Sequence, residues 1–134
     1  MLSNINFVAV AVAAMTTFAV GGVWYSQAVF GGIWGRESGL IARLDRKGRH
    51  PAFVFIGSYL LAFIAAAVVA KLVGPNPGLE HAVKRAIAVG FGIAATSFGI
   101  NYLFGNRSFK LWLVDAGYHV VQFALIGAVL GLML

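Results

Sequence analysis

Long apolar stretches, with the charged residues confined to the gaps between them, constrain the fold of this chain more than any other feature. Four stretches, at residues 5–25, 51–73, 86–104 and 111–134, are apolar almost throughout. An α-helix needs about 20 apolar residues to cross a hydrocarbon core about 30 Å thick. Only 10% of the residues are charged, against about 25% in soluble domains. We therefore predict an all-α integral membrane protein, in which residues 1–134 form a single transmembrane domain built as a four-helix bundle.

The basic residues are divided unevenly between the two ends of the predicted spans. Seven of the ten Lys and Arg residues lie in the connections 36–50 and 105–110, and three lie at the other end. Because connections rich in Lys and Arg stay in the cytoplasm, we expect the loop 36–50 to be cytoplasmic and both termini to lie outside. The formal net charge of +6 predicts contact with anionic membrane lipids. It does not predict a nucleic-acid partner, because the basic residues flank apolar spans.

Several kinds of functional site lack the residues they need. The chain has no cysteine, which excludes disulfides and thiolate metal ligands. His50 and His81 fall at opposite membrane ends, and no HxxxH or HExxH spacing occurs, so no metal site is predicted. No nucleophile–base pair, phosphate loop or dinucleotide fingerprint stands out. We therefore predict no catalytic residue and no cofactor, and a membrane enzyme is the least favoured function.

A polar cluster is predicted in the cytoplasmic half of the bundle. Asp115 is the only carboxylate within a predicted span, and a charge at that depth is costly unless it is paired or functional. The hairpin between the last two spans brings Asn101 to a similar depth, and helical spacing places His119 on the face of Asp115 with Tyr118 beside it. With Tyr25 from the end of span 1, the predicted cluster comprises Tyr25, Asn101, Asp115, Tyr118 and His119.

Three roles fit this cluster. Asp115 and His119 could form a hydrogen-bonded structural clamp that ties span 4 to spans 1 and 3. They could instead relay protons or bind a cation, since histidine titrates near neutral pH and a buried carboxylate can be shifted toward it. The cluster could also bind a small ligand.

Small residues define two packing faces. In span 3, one stripe of small and polar residues is suited to facing another helix: Ala86, Gly90, Ala94, Ser97 and Asn101. In span 4, the corresponding residues are Gly117, Ala124, Ala128 and Gly131, and Gly127 forms a GxxxG segment with Gly131. Small residues let helix backbones approach closely. The span 4 face either packs within the bundle or meets another protein surface.

Several short motifs resemble those of a bacterial family of small four-span membrane proteins known only as a domain of unknown function. The first half carries Gly22-Val23-Trp24-Tyr25-Ser26, then Phe30-Gly31 and Trp34; the second carries Asn101-Tyr102-Leu103-Phe104, Arg107-Ser108, Lys110-Leu111, Ala116-Gly117-Tyr118-His119, Gly127 and Gly131. One departure is Gln27, where the resemblance leads us to expect proline. The resemblance covers nearly the whole chain and implies the fold and topology. It implies no activity.

Besides a membrane enzyme, two functions are consistent with the sequence. The first is binding or passage of a small solute or ion through the cytoplasmic-side polar cluster, by a chain that forms a homo-oligomer in the bacterial cytoplasmic (inner) membrane. The second is an accessory or structural subunit of a larger membrane protein complex. A water-accessible path to Asp115 and His119 would favour the first, and co-purification with a larger complex would favour the second.

Overall fold

A computed structural model describes residues 5–39 and 48–134, so the middle of the predicted loop 36–50 lies outside the described residues. In chain order the elements are α1 (Phe7–Trp24), α2 (Gly31–Glu37), α3 (Pro51–Val73), α4 (Leu79–Val89), a π-helical segment (Gly90–Ala95), α5 (Thr96–Phe104) and α6 (Phe109–Met133). Helices α4 and α5 continue each other through the π segment. Four helices are each long and apolar enough to cross a membrane: α1, α3, α6 and the composite of α4, the π segment and α5. The predicted all-α fold with four membrane-length helices is confirmed, and the chain is a multi-pass membrane protein.

Residues at the helix ends satisfy backbone groups that the helices leave free. Ser108 accepts a hydrogen bond from the Leu111 N–H at 3.1 Å and caps α6, and Asn6 caps α1 in the same way. Pro51 begins α3, where its missing N–H removes no helical hydrogen bond. The turn between α3 and α4 uses Gly74 and Gly78 at φ of 77° and 76°, a left-handed conformation that glycine adopts without steric cost.

Helix α6 lies at the centre of the bundle, against α1 on one side and α4 on the other. Near the turn 74–78, the interior is dry and apolar. Its largest fully buried side chains are Val10, Val69, Ile126 and Leu130. Small residues keep α4 and α6 close there, because Ala82 and Ala86 of α4 are fully buried. The buried core of this half of the bundle therefore consists of apolar side chains.

The π segment changes which face of α5 points toward α6. Up to Gly90 the predicted stripe of span 3 faces the bundle, and Ala86 and Gly90 are buried. From Ala95, the last residue of the π segment, onward the structure differs, because Ala95 is buried while Ser97 and Asn101 are exposed. A π turn holds one residue more than an α turn, so every later residue is rotated by about 100° from its α-helical position. The inward positions of α5 therefore fall one residue later than α-helical spacing predicts.

Candidate functional site

The carboxylate of Asp115 is held between two tyrosines from different helices. Asp115 is 9% exposed. Its Oδ1 accepts a hydrogen bond from the Tyr25 hydroxyl at 2.5 Å, and its Oδ2 accepts one from the Tyr102 hydroxyl at 2.5 Å. These lengths are typical of charge-assisted O–H···O⁻ bonds. Asp115 thereby ties α6 both to the end of α1 and to α5.

Tyr25 is positioned by a tight turn that links α1 to α2. The Phe30 N–H donates to the Trp24 carbonyl at 3.0 Å, which folds α2 back against the end of α1. Gly31 is required in this turn, because a Cβ there would lie 2.5 Å from the Tyr25 carbonyl oxygen. The Trp34 ring of α2 then packs edge-on against the Tyr25 ring, with centroids 5.7 Å apart. The Tyr25 ring is thus fixed from the side opposite its hydrogen bond.

A second polar group lies deeper in the bundle and contains His119. His119 Nδ1 lies 2.8 Å from Gln122 Oε1, and the Gln122 amide donates to Thr17 Oγ1 at 2.7 Å. Tyr118 donates its hydroxyl proton to the Thr17 carbonyl at 3.1 Å. Because Oε1 is an acceptor, this arrangement fits a His119 ring protonated on Nδ1. The group ties α6 to α1 one to two turns beyond Asp115.

The predicted cluster is thus divided into two hydrogen-bonded groups. The structure brings Tyr25 to Asp115, but among the described residues it places His119 with Gln122 and not with Asp115. The Tyr118 and Tyr25 rings pack together at 5.3 Å, which joins the two groups. Asn101 points away from both, is exposed, and makes no side-chain hydrogen bond to a described residue.

Tyr102 and Thr17 are the residues of this site that the sequence reasoning missed. Tyr102 lies next to the expected Asn101, and the π segment rotates it into the position that Asn101 would otherwise take. No α-helical period could have found it, because the period itself changes within the span. Thr17 lies in an apolar stretch of α1 beside Thr16, and the sequence does not indicate which of the two hydroxyls faces α6.

The small residues of α6 contact helices of the same chain. A Cβ on Gly117 would lie 2.7 Å from Cζ2 of Trp24, whose indole N–H donates to the Val114 carbonyl at 2.9 Å. A Cβ on Gly127 would lie 2.7 Å from the Ala82 carbonyl oxygen, and one on Gly131 would lie 2.9 Å from the Leu79 Cα. The remaining members of the predicted face, Ala124 and Ala128, are half-buried.

Two of the openings in the structure meet the Asp115 group, one through Tyr25 and the other through Tyr102. The first, which we call the Tyr25 cleft, has a volume of about 1020 Å³ and lies between the α1–α2 turn and the start of α3. Its polar lining comprises Tyr25, Gln27, Arg36 and Ser58. The second, which we call the Tyr102 groove, has a volume of about 480 Å³ and lies between α5 and the start of α6. Asp115 itself lines neither opening and meets each through a tyrosine.

Comparison with known proteins identifies one family. The family model described as protein of unknown function DUF1761 matches residues 8–131. No curated protein and no solved structure matches the chain.

Proposed function

Because the chain belongs to the DUF1761 family, whose activity is unknown, we propose its function from the geometry of the Asp115 group. The protein binds a small amphiphilic solute in the Tyr25 cleft, in the bacterial inner membrane. The solute carries a hydroxyl group, which can donate to Tyr25 and accept from Arg36, on an apolar body. The observation that supports this most directly is the hydrogen bond from Tyr25 to Asp115.

That hydrogen bond leaves the Tyr25 oxygen as an acceptor, on a residue that lines the cleft. A phenol has one proton and two lone pairs, and the proton of Tyr25 is donated to Asp115. The lone pairs therefore remain for a solute, and the neighbouring carboxylate increases the negative charge on the phenolic oxygen. A donor group on the solute is consequently favoured over a bare acceptor.

The lining of the Tyr25 cleft suits a partly apolar solute. Trp34, Val54 and Phe55 contribute apolar surface, while Gln27 and Ser58 add further hydrogen-bonding groups. A pocket of several hundred Å³ with a mainly apolar lining and a few convergent polar groups is typical of small-molecule sites. The cleft lies at one end of α1 and α3, where an amphiphile would place its polar group near the membrane surface.

The same geometry favours binding over passage through a single bundle. A solute moving from Asp115 to the opposite end would have to cross the layer that contains Val10, Ile126 and Leu130, which are fully buried. That layer has no polar side chain among its buried described members. A path for ions therefore stops at the Gln122 group, and we assign the cluster to solute binding.

Benzyl alcohol, benzylamine and toluene test this proposal, because they share one apolar body and differ in the head group. The purified full-length protein is heated in detergent with each probe, and the unfolding temperature is measured. A ligand that binds only the folded protein stabilises it as its concentration exceeds Kd. We expect benzyl alcohol to raise the unfolding temperature. Benzylamine, whose ammonium group Arg36 repels, and toluene, which has no polar group, should leave it unchanged.

Two tyrosine variants provide the matched control. Tyr25→Phe removes the acceptor oxygen and should abolish the stabilisation by benzyl alcohol. Tyr59→Phe removes a hydroxyl that donates to the Ala11 carbonyl at 3.0 Å outside the cleft, and it should keep the stabilisation. Equal stabilisation by toluene, or an unchanged response in Tyr25→Phe, would contradict the proposal.

A second function, as a subunit of a homo-oligomer or a larger membrane complex, is favoured by one observation. Helix α5 has no buried residue, and it exposes the polar side chains of Ser97 and Asn101. Polar side chains on a membrane helix are stabilised when they hydrogen-bond to a neighbouring helix. A second copy of the chain would supply such a helix.

Cysteine cross-linking tests this second function, and native cysteines give no background cross-links because the chain has none. Ser97→Cys in native membranes should give a disulfide-linked dimer on oxidation. Leu61→Cys, at a residue that is 70% exposed on the apolar face of α3, should remain monomeric. Equal cross-linking of the two variants would indicate random collision and would count against a specific interface.

A further inference from the structure

We infer that the Tyr102 groove binds one anionic phospholipid, with the phosphate held by Arg107 and an acyl chain lying along α5. This site is separate from the Tyr25 cleft and does not depend on the function proposed for it. The inference follows from the apolar lining of the groove and the positive charge at one end.

The body of the groove is apolar and open to the membrane. Gly99 and Trp112 form its floor, and Ile100, Leu103 and Phe109 form its walls. Leu103 and Phe109 are 81% and 70% exposed, so the walls face the hydrocarbon region directly. An acyl chain can therefore enter sideways from the bilayer.

The floor of the groove is rigid. The Trp112 indole N–H donates to the Ala95 carbonyl at 3.0 Å, which satisfies its polar atom and leaves the ring surface apolar. Gly99 makes room for the ring, because a Cβ there would lie 2.7 Å from Trp112 Nε1. The groove is thus present in the folded chain and does not have to open for a ligand.

The polar end of the groove carries positive charge that no described carboxylate neutralises. Arg107 and Ser108 line that end, in the turn between α5 and α6. Arg107 uses one guanidinium N–H on the Ser38 carbonyl at 3.0 Å, and the remaining donors of its five N–H groups are left for an anion. Lys110, in the first turn of α6, is exposed but does not line the groove.

The charge and shape together favour a phospholipid over a free anion. A turn at the end of two membrane helices lies at the depth of lipid phosphates, and Trp112 suits the same interfacial region. Basic residues there attract anionic lipids by about 1 kcal/mol each. A free phosphate would use the basic end alone and leave the apolar groove empty.

Lipid retention measured by native mass spectrometry tests the inference. The full-length protein is reconstituted into vesicles of equal parts phosphatidylcholine and phosphatidylglycerol, then released into mild detergent. We expect one retained phosphatidylglycerol per chain. Arg107→Gln should lower its retention about fivefold, as expected for the loss of one interfacial charge. Lys110→Gln, which removes a nearby positive charge that does not line the groove, should lower retention less than Arg107→Gln.

Arg85→Gln is the matched control. Arg85 is also exposed and also donates from Nη1 to a backbone carbonyl, that of Leu72 at 3.1 Å, but it lies at the opposite end of the bundle. Its loss should leave lipid retention unchanged. Equal retention of the two lipids, an equal effect of Arg85→Gln, or displacement of the lipid by millimolar inorganic phosphate would each overturn the inference.

Discussion

Tyr102 donates a hydrogen bond to Asp115 at 2.5 Å across the hairpin between α5 and α6, and it reaches the carboxylate because of the π segment at Gly90–Ala95. In an uninterrupted α-helix, Asn101 would take that position. The π turn inserts one residue into the helix and so exchanges an amide for a phenol beside the buried carboxylate. An irregularity two turns away therefore determines the chemistry of the site.

Removing one residue from the π segment should leave this contact intact. Deletion of Gly92, whose Cβ position has no neighbour within 4 Å, converts the segment to α-helix and keeps Tyr102 facing Asp115. Deletion of Ile100, which lies beyond the π segment, shortens the helix equally but rotates Tyr102 away by about 100°. In a double-mutant cycle, Tyr102→Phe should then lower stability in the Gly92 deletion and have no effect in the Ile100 deletion. The same cost in both deletions would show that the π register does not position Tyr102.

Each phenol of the Asp115 group should contribute to stability more than an ordinary hydroxyl. Hydrogen bonds to a charged group contribute about 1.5–3 kcal/mol, against about 0.5–1.5 kcal/mol for neutral pairs. We expect Tyr25→Phe and Tyr102→Phe to lower the free energy of unfolding by the larger amount. Tyr59→Phe, which loses a bond to a neutral carbonyl, should show the smaller one. Denaturant unfolding in mixed micelles measures all three, and equal losses would contradict stronger hydrogen bonds at Asp115 than at the Ala11 carbonyl.

Gly127 should tolerate no added methyl group. The Cβ of alanine would lie 2.7 Å from the Ala82 carbonyl oxygen and 2.7 Å from the Ala86 Cβ, so α4 and α6 would have to separate. Overpacking of this kind costs about 1–3 kcal/mol. Gly57→Ala in α3 is the control, because nothing lies within 4 Å of its Cβ position and alanine is the better helix former. If Gly127→Ala unfolds at the same denaturant concentration as Gly57→Ala, the close contact between α4 and α6 is absent in the membrane.

Both termini should face outward from the cytoplasm. The connections 36–50 and 105–110 contain seven of the ten basic residues, and such connections are retained in the cytoplasm. An alkaline phosphatase fusion after Leu134 should be active, and a green fluorescent protein fusion at the same residue should be dark. The reverse pattern would place the Tyr25 cleft and the Tyr102 groove on the outer side.

The sequence by itself determined that the chain is an all-α membrane protein and where several of its helices begin. The length of the apolar stretches is sufficient for this, because only helices or closed barrels satisfy backbone groups in hydrocarbon. Ser108 caps α6 and Pro51 begins α3, and both features depend only on residues nearby in the sequence. Asp115 was predicted to lie in a polar cluster because it is the only carboxylate inside a predicted span.

The tertiary structure alone decided which side chains Asp115 meets. His119 lies one turn from Asp115 on α6, yet it pairs with Gln122 because Thr17 of α1 orients the Gln122 amide. Tyr102 displaces Asn101 because a π turn changes the helical period, and the α-helical period was the basis of the prediction. The small residues of α6 could face either a neighbouring helix or a second protein, and only the packing of α4 against Gly127 and Gly131 distinguishes these. Periodicity assigns a residue to a face, whereas the contacts of that face depend on the register and packing of every helix around it.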